Sequence, residues 1–392
     1  MNYSLPDLHD LQIRRNSVQK VLKEKKGDVC LLNNFVNIYY LIGKMFDGYV
    51  YLPKEGDLIL FVRKPSDFAD ERTVFIRKPE DIPAILEKKG LPLPETVALE
   101  ADQLTYNEYV RLQNVFRSEN PLNATEILRH CRMFKTPWEI EQLRYSSIRH
   151  SLSYKRIPSL FQPGMTDQEF QYAMELNMRQ HGSVGIFRAF GNNMDIFMGS
   201  VLVGNNAAKP SPCDFALGGG GNCALPIGAN GSLIKPGQTV MVDLAGNFSA
   251  YMTDMTRVFS YGKLPETAYA AHQVSIDLHN WLMKEGKPGL ACSEIYEHSV
   301  RVTEESGFSE NFMGTVQQAK FVGHGVGIEI NELPVLMARS KEKLHSGMVL
   351  AFEPKFVLPD IGAVGIENTY LVTETGIEKL TVFEEKIIPL IA

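Results

Sequence analysis

Residues 238–259 read QTVMVDLAGNFSAYMTDMTRVF, and this stretch decides the fold. Two apolar runs, 238–246 and 250–259, flank the turn signal Gly246-Asn247-Phe248-Ser249-Ala250, which predicts a β-hairpin. Each run carries one acid in its middle, Asp243 and Asp254. Folding symmetrically about Phe248 and Ser249 sets the two acids directly opposite each other on one face. The end of the chain repeats the device. Glu353 lies in GMVLAFEPKFV and Glu367 in AVGIENTYLV, with Pro359-Asp360-Ile361-Gly362 between them. Folding about Asp360 opposes Glu353 to Glu367.

Like charges facing each other in apolar strands repel, and burial raises the cost of ionising them. A single acid in a strand is commonplace and is usually solvated or paired with Lys or Arg. Four acids in two matched hairpins predict instead a cage for divalent cations. Between the hairpins runs FVGHGVGIEINELP, residues 321–334. His324 stands there between glycines, where the backbone comes close and the imidazole has little cover. Beside four carboxylates it is best read as a fifth ligand.

The remainder of the chain fits a soluble enzyme. Its 392 residues allow two or three domains, and 44% hydrophobic with 22% charged residues excludes general disorder. A net charge of −6 gives no basic surface for nucleic acid. No run of about 18 apolar residues predicts a membrane span, and MNYSLPDLHDLQIRRNSVQK has no apolar core of a secretory signal. Five scattered cysteines without a C-x-x-C pair predict reduced thiols and a cytoplasmic protein.

Residues 12–25, 79–89 and 106–116 read as helices; 28–32, 37–42, 49–52, 58–62 and 96–99 read as strands. Beyond a boundary near 129–137 come helices over 138–160, 167–181, 264–286 and 292–306. Thr166 is the expected N-cap of the second of these. Residues 191–237 are Gly- and Pro-rich, and 238–260 and 347–375 are strand-rich.

The ordered set Asp243, Asp254, His324, Glu353, Glu367 resembles the five-ligand centre of the pita-bread metallopeptidases. These comprise methionine aminopeptidase, aminopeptidase P and prolidase, with creatinase as a non-metal relative. VMVDLAG, YMTDMTRVF, GHGVGIEINELP, FEP and GIENTYLV carry the likeness. Residues 1–130 resemble the creatinase/prolidase N-terminal domain, and Phe134–Ile140 its usual entry to the catalytic domain. That domain points to aminopeptidase P or prolidase rather than methionine aminopeptidase. The resemblance implies an α+β fold: an α/β N-terminal domain (1–130) and a pita-bread catalytic domain (131–392), two pseudo-symmetric αβ halves around a curved antiparallel sheet.

It further implies two divalent ions, Mn, Co, Fe or Zn, in a hydrolase of Xaa-Pro aminopeptidase or dipeptidase type. Asp254 and Glu367 would bridge the ions, Asp243 would chelate one, and His324 and Glu353 would hold the other. A bridging hydroxide would attack the N-terminal peptide or amide bond, with Glu353 shuttling the proton. A homodimer and a peptide or small amide substrate are also implied.

The departures from the family pattern are specific. Ile227 and Asn331 stand where the family has histidines that contact substrate and oxyanion. Lys320 stands at a further His position, and Gly365 where an Arg precedes Ile366-Glu367. Asn331 can still donate a hydrogen bond and Ile227 cannot; Glu332 and Pro334 keep their places, Glu332 beside the substrate. Losing one oxyanion donor typically costs about 10²–10³ in rate. The substitutions motivate two rival readings: a metal-dependent lyase or other C–N hydrolase on this scaffold, or a metal-binding relative without turnover. Among weaker signals, Gly218–Asn222 lacks the Lys-Ser/Thr of a phosphate loop. Phe187, Phe190 and Phe197 are core residues first and pocket walls second. Arg257, one step off the Asp254 face, reads as support or packing.

Overall fold

The structure, a computed structural model, describes residues 5–194, 196–213 and 217–390. The chain divides into two compact units, the first ending at Arg132 and the second beginning at Met133.

The first unit is a six-stranded sheet flanked by helices. Its strands are β1 (Val29–Leu32), β2 (Asp47–Pro53), β3 (Ile59–Lys64), β4 (Thr73–Phe75), β5 (Val97–Leu99) and β6 (Leu122–Asn123), in the order β4-β3-β2-β1-β5-β6. Its helices are α1 (Leu8–Glu24), α2 (Phe35–Ile42), α3 (Ile82–Lys88), α4 (Tyr106–Phe116) and α5 (Ala124–Arg132). The run 37–42, expected as a strand, is part of α2. Asn34 caps the start by accepting from the Val36 N–H, and Gly43 ends the helix in the left-handed region at φ 71°. Capping at both ends outweighs the β propensity of a short apolar run.

The second unit opens with α6 (Pro137–Tyr154) and α7 (Asp167–Gln180). Both begin with a capping box, Thr136 with Glu139 and Thr166 with Glu169. Strands β7 (Gly199–Val203), β8 (Gln238–Asn247) and β9 (Met252–Tyr261) follow, then α8 (Glu266–Glu285) and α9 (Cys292–Glu305). The remaining strands are β10 (Gly323–Gly325), β11 (Glu332–Val335), β12 (Val349–Phe352), β13 (Lys355–Leu358), β14 (Gly362–Gly365), β15 (Asn368–Val372), β16 (Ile377–Lys379) and β17 (Ile388–Pro389). They form sheets of order β17-β9-β8-β7 and β11-β10-β12-β15-β16, joined by the β13-β14 pair. Apolar clusters fill the space between sheets and helices, one around Phe352, Tyr370 and α8, another around Phe170, Phe259 and α7. This is the mixed α+β architecture expected.

The first hairpin differs from expectation in register. Asp243 faces Thr256, and Asp254 faces Ala245, because strand pairing runs on to Asn247–Met252 and the turn lies one residue later. The slip moves the pairing by two residues, so Asp243 and Asp254 stay on the same face, staggered. The second hairpin keeps the expected register: Phe352 faces Asn368 and Lys355 faces Gly365. Glu353 and Glu367 lie at the break between these two ladders.

Candidate metal centre

The breaks in strand pairing place the acids. At residue 353 the strand leaves its partner, and the Glu353 N–H donates to the Val322 carbonyl; the Glu367 N–H donates to the Thr256 carbonyl. One face of α8 holds both breaks together. The Ser275 hydroxyl donates to the Pro354 carbonyl (2.7 Å) and accepts from the Ile366 N–H (3.0 Å). His272 accepts from the Gly365 N–H at Nδ1, and its Nε2 donates to the Glu385 carbonyl. His279 Nε2 donates to the Ile366 carbonyl while Nδ1 accepts from the Tyr370 hydroxyl. Positions 272, 275 and 279 share a helix face, so one buried stripe fixes the backbone beside Glu353 and Glu367. Burial holds His272 down at about 4 and His279 well below its ordinary value, which keeps both neutral for these bonds.

On the first hairpin Tyr154 has a comparable role. Its hydroxyl donates to the Met255 carbonyl and accepts from the Leu244 N–H, between Asp243 and Asp254. Arg257, fully buried, donates to the Glu367 and Glu384 carbonyls and to Asn368 Oδ1, tying β9 to the segment at the start of β15 that carries Glu367.

All five expected ligands converge. Asp254, His324 and Glu367 offer ligand atoms within 4.8 Å of one another, and so do Asp243, Glu353 and Glu367. The two groups are not equivalent. In the first, His324 Nε2 lies 3.9 Å from Asp254 Oδ2 and 3.5 Å from Glu353 Oε1, and Glu367 Oε1 is buried with no hydrogen-bond partner among the described residues. His324 Nδ1 sits 3.1 Å from the Gly325 carbonyl, which only accepts; this assigns the proton to Nδ1 and turns the Nε2 lone pair toward the acids. An orphaned carboxylate oxygen beside an available imidazole fits a divalent ion.

The second group already has a cation. Lys355, on β13, sends its ammonium to Asp243 Oδ2 (2.8 Å), Glu353 Oε2 (2.7 Å) and Glu367 Oε2 (3.2 Å), and its side chain is 0% exposed. The sequence reading passed over this lysine. Its signal was a charge inside the apolar run FEPKFV, two residues from Glu353 and hence on the same strand face.

The electrostatics follow from four carboxylates around one ammonium. Burial raises Asp254 well above the carboxylate range, reinforced by Glu367, Asp243 and Glu353. Burial and the Glu353 charge push Glu367 up to about 8, and burial also raises Glu353. Burial would raise Asp243 too, but Lys355 holds it low. Desolvation works against the Lys355 ammonium, yet Asp243, Glu353 and Glu367 keep it charged. The cluster calls for more positive charge than Lys355 supplies.

The other expected residues are placed as follows. Asn331 accepts from the Phe190 N–H and donates to the Phe190 carbonyl, so its amide clamps that loop, a role not foreseen for an oxyanion donor. Glu332 is buried, ion-paired with Lys135 at 3.0 Å and accepting from the Glu329 N–H. Ile227 is buried and lines a small apolar cavity with Phe187, Ile196, Phe197 and Ser200; Ser200 pairs with Asp243 across the β7–β8 ladder. Two of the three loop phenylalanines are therefore pocket walls. Gly365 has φ +120°, and a Cβ there would lie 2.6 Å from the Pro354 carbonyl oxygen, so an Arg at this position would strain the present backbone. Lys320 is exposed on a cleft with Lys209 and Phe321. Asn206 is buried, bonding Gly220 and Gly228 to fix the glycine loop.

Comparison with known proteins gives the family. The model of metallopeptidase family M24 matches residues 141–374, more than half of the chain. The chain belongs to metallopeptidase family M24. Residues 14–134 of this M24 protein also match the creatinase/prolidase N-terminal domain. It is 25% identical to an Xaa-Pro dipeptidase of Pyrococcus furiosus over 96% of this chain and 99% of that protein. Among solved structures, it shares the fold of an Xaa-Pro dipeptidase from Bacillus anthracis (TM-score 0.80, 22% identity, 97% and 99% coverage). It also shares that of a prolidase from Pyrococcus horikoshii OT3 (TM-score 0.78, 21% identity, 95% and 99% coverage). All five cysteines are free, and no helix among the described residues is long and apolar enough to cross a membrane.

Proposed function

We propose that the chain is a metal-dependent exopeptidase cleaving the peptide bond next to a substrate's N-terminus, with Xaa-Pro peptides as its substrate class. The observation that carries this reading is the convergence of Asp243, Asp254, His324, Glu353 and Glu367, from five separate strand regions, on one largely buried spot. M24 membership and the Xaa-Pro dipeptidase relatives support it.

Asp254, His324 and Glu367 would hold a divalent ion, which supplies Lewis acidity toward the scissile carbonyl and lowers the pKa of water. Glu353 takes and returns the proton. Its Oε2 is held by Lys355, while Oε1 faces His324, so the carboxylate has one fixed and one working oxygen. Lys355 also keeps fixed positive charge beside the place where negative charge develops. With Ile227 in place of a histidine, oxyanion support is weaker, and turnover is expected to be slow.

The test is hydrolysis of Xaa-Pro dipeptides and tripeptides by chelator-stripped protein reloaded separately with Mn, Co or Zn, with Asp254→Ala as control. Metal-dependent cleavage that disappears in the variant supports the reading. Absence of cleavage with every metal, despite metal uptake, overturns it in favour of another reaction.

A further inference from the structure

We propose that the Lys355 ammonium stands in the place of one of the two ions that the M24 pattern implies, so that this chain takes a single divalent ion, held by Asp254, His324 and Glu367. The inference shares with the proposed function the premise that this cluster binds metal. It does not depend on peptide hydrolysis.

The geometry is that of a built-in cation. An ammonium has three N–H donors, and the three carboxyl groups around Nζ, at 2.7–3.2 Å, give each an acceptor. These are the same three residues that would form one of the two ligand groups. A divalent ion bound to their oxygens at about 2.0–2.6 Å would occupy the space of Nζ itself. Ion and ammonium exclude each other by size and by charge.

Lys355 has no easy exit. Its side chain is fully buried, and its neighbours Phe356, Val357, Val364 and Met313 belong to the apolar core, where a displaced ammonium would have no partner. Its backbone is fixed as well, the carbonyl accepting from the Met313 N–H. The residue directly opposite Lys355 is Gly365, the position where the family pattern has Arg. The positive charge expected on one strand of this pair is thus carried by the other, and there it reaches the ligand carboxylates directly. The other group, Asp254, His324 and Glu367, retains the marks of a metal site: a Glu367 Oε1 without a hydrogen-bond partner among the described residues, and the His324 Nε2 lone pair.

Metal content per chain, measured by mass spectrometry on the full-length protein after loading with excess Mn and removal of free metal, tests the proposal. The expected count is one, with the six-line spectrum of isolated Mn(II) in electron paramagnetic resonance. His324→Ala should abolish uptake and Asp243→Asn should leave the count at one. Lys355→Gly should raise it to two, with an exchange-coupled spectrum. Two ions in the unaltered protein, or none, would overturn the proposal, as would loss of the ion in Asp243→Asn. These counts decide the matter even if Lys355→Gly fails to fold. One ion without peptide cleavage leaves this inference standing and removes the peptidase reading; two ions with cleavage does the reverse.

Discussion

Ser275→Ala deletes one oxygen that lies outside both ligand groups, yet the structure ties it to both Glu353 and Glu367. The hydroxyl sits on α8 and joins the Pro354 carbonyl to the Ile366 N–H, each next to one of these acids. Ser275 is fully buried, so its removal leaves a buried acceptor and a buried donor facing a methyl group. At about 1–3 kcal/mol for each group left unsatisfied, the variant should lose roughly 2–6 kcal/mol of stability. Loosening the support of metal ligands typically weakens metal binding about 10–100-fold, and the same is expected here. Urea unfolding of metal-free protein measures the first effect, and competition with a chelating dye the second. Ser299→Ala is the control. That serine is equally buried, but its hydroxyl bonds only the Ile295 carbonyl one turn back in its own helix, so its loss should cost about 0.5–1.5 kcal/mol and leave metal affinity unchanged. If the two variants behave alike, the bridging role assigned to Ser275 is refuted.

Other consequences are open to measurement. His150, held at about 3 by burial, binds its proton far more readily when unfolded. Its contribution is therefore present above pH 6.5 and is lost as pH falls toward 3, amounting to about 2 kcal/mol at pH 5. In His150→Gln the decline of stability between pH 6.5 and 5 should be shallower by that amount, and an unchanged slope would remove the explanation. Gly365→Arg, which restores the family residue, should destabilise by about 1–3 kcal/mol or more, because φ is +120° and the Pro354 carbonyl blocks the Cβ; a urea midpoint equal to that of the parent would contradict this. Asn331→Ala removes both bonds to the Phe190 backbone. Limited proteolysis within 186–197 should accelerate, and an unaltered cleavage pattern would show that the clamp is not needed.

Much of this was legible in the sequence because it rests on strand periodicity. Acids on alternating apolar runs had to share a face, and the ladder around Asp360 fixed Glu353 against Glu367. The first hairpin was misjudged by two residues because its turn carries several turn-forming residues in a row and any of them can head the loop. Helix α2 was hidden because a short, mostly apolar run of eight residues satisfies either period, and the deciding signals, Asn34 and Gly43, lie outside the run. Strand β7 escaped notice inside a Gly- and Pro-rich stretch, since its pairing with β8 is set by a partner some forty residues away. Lys355 was overlooked for a different reason. A lysine in a strand usually reaches solvent, and only the three-dimensional convergence of Asp243, Glu353 and Glu367 keeps this one inside.

The central claim is that these carboxylates and His324 form a metal centre in which a lysine supplies part of the charge. Anomalous diffraction at the manganese edge, from crystals grown with Mn(II), tests it most directly. The account predicts one anomalous peak bounded by Asp254, His324 and Glu367, with the Lys355 ammonium ordered among Asp243, Glu353 and Glu367. A pair of peaks with Lys355 turned away, or no peak at the cluster, would contradict it.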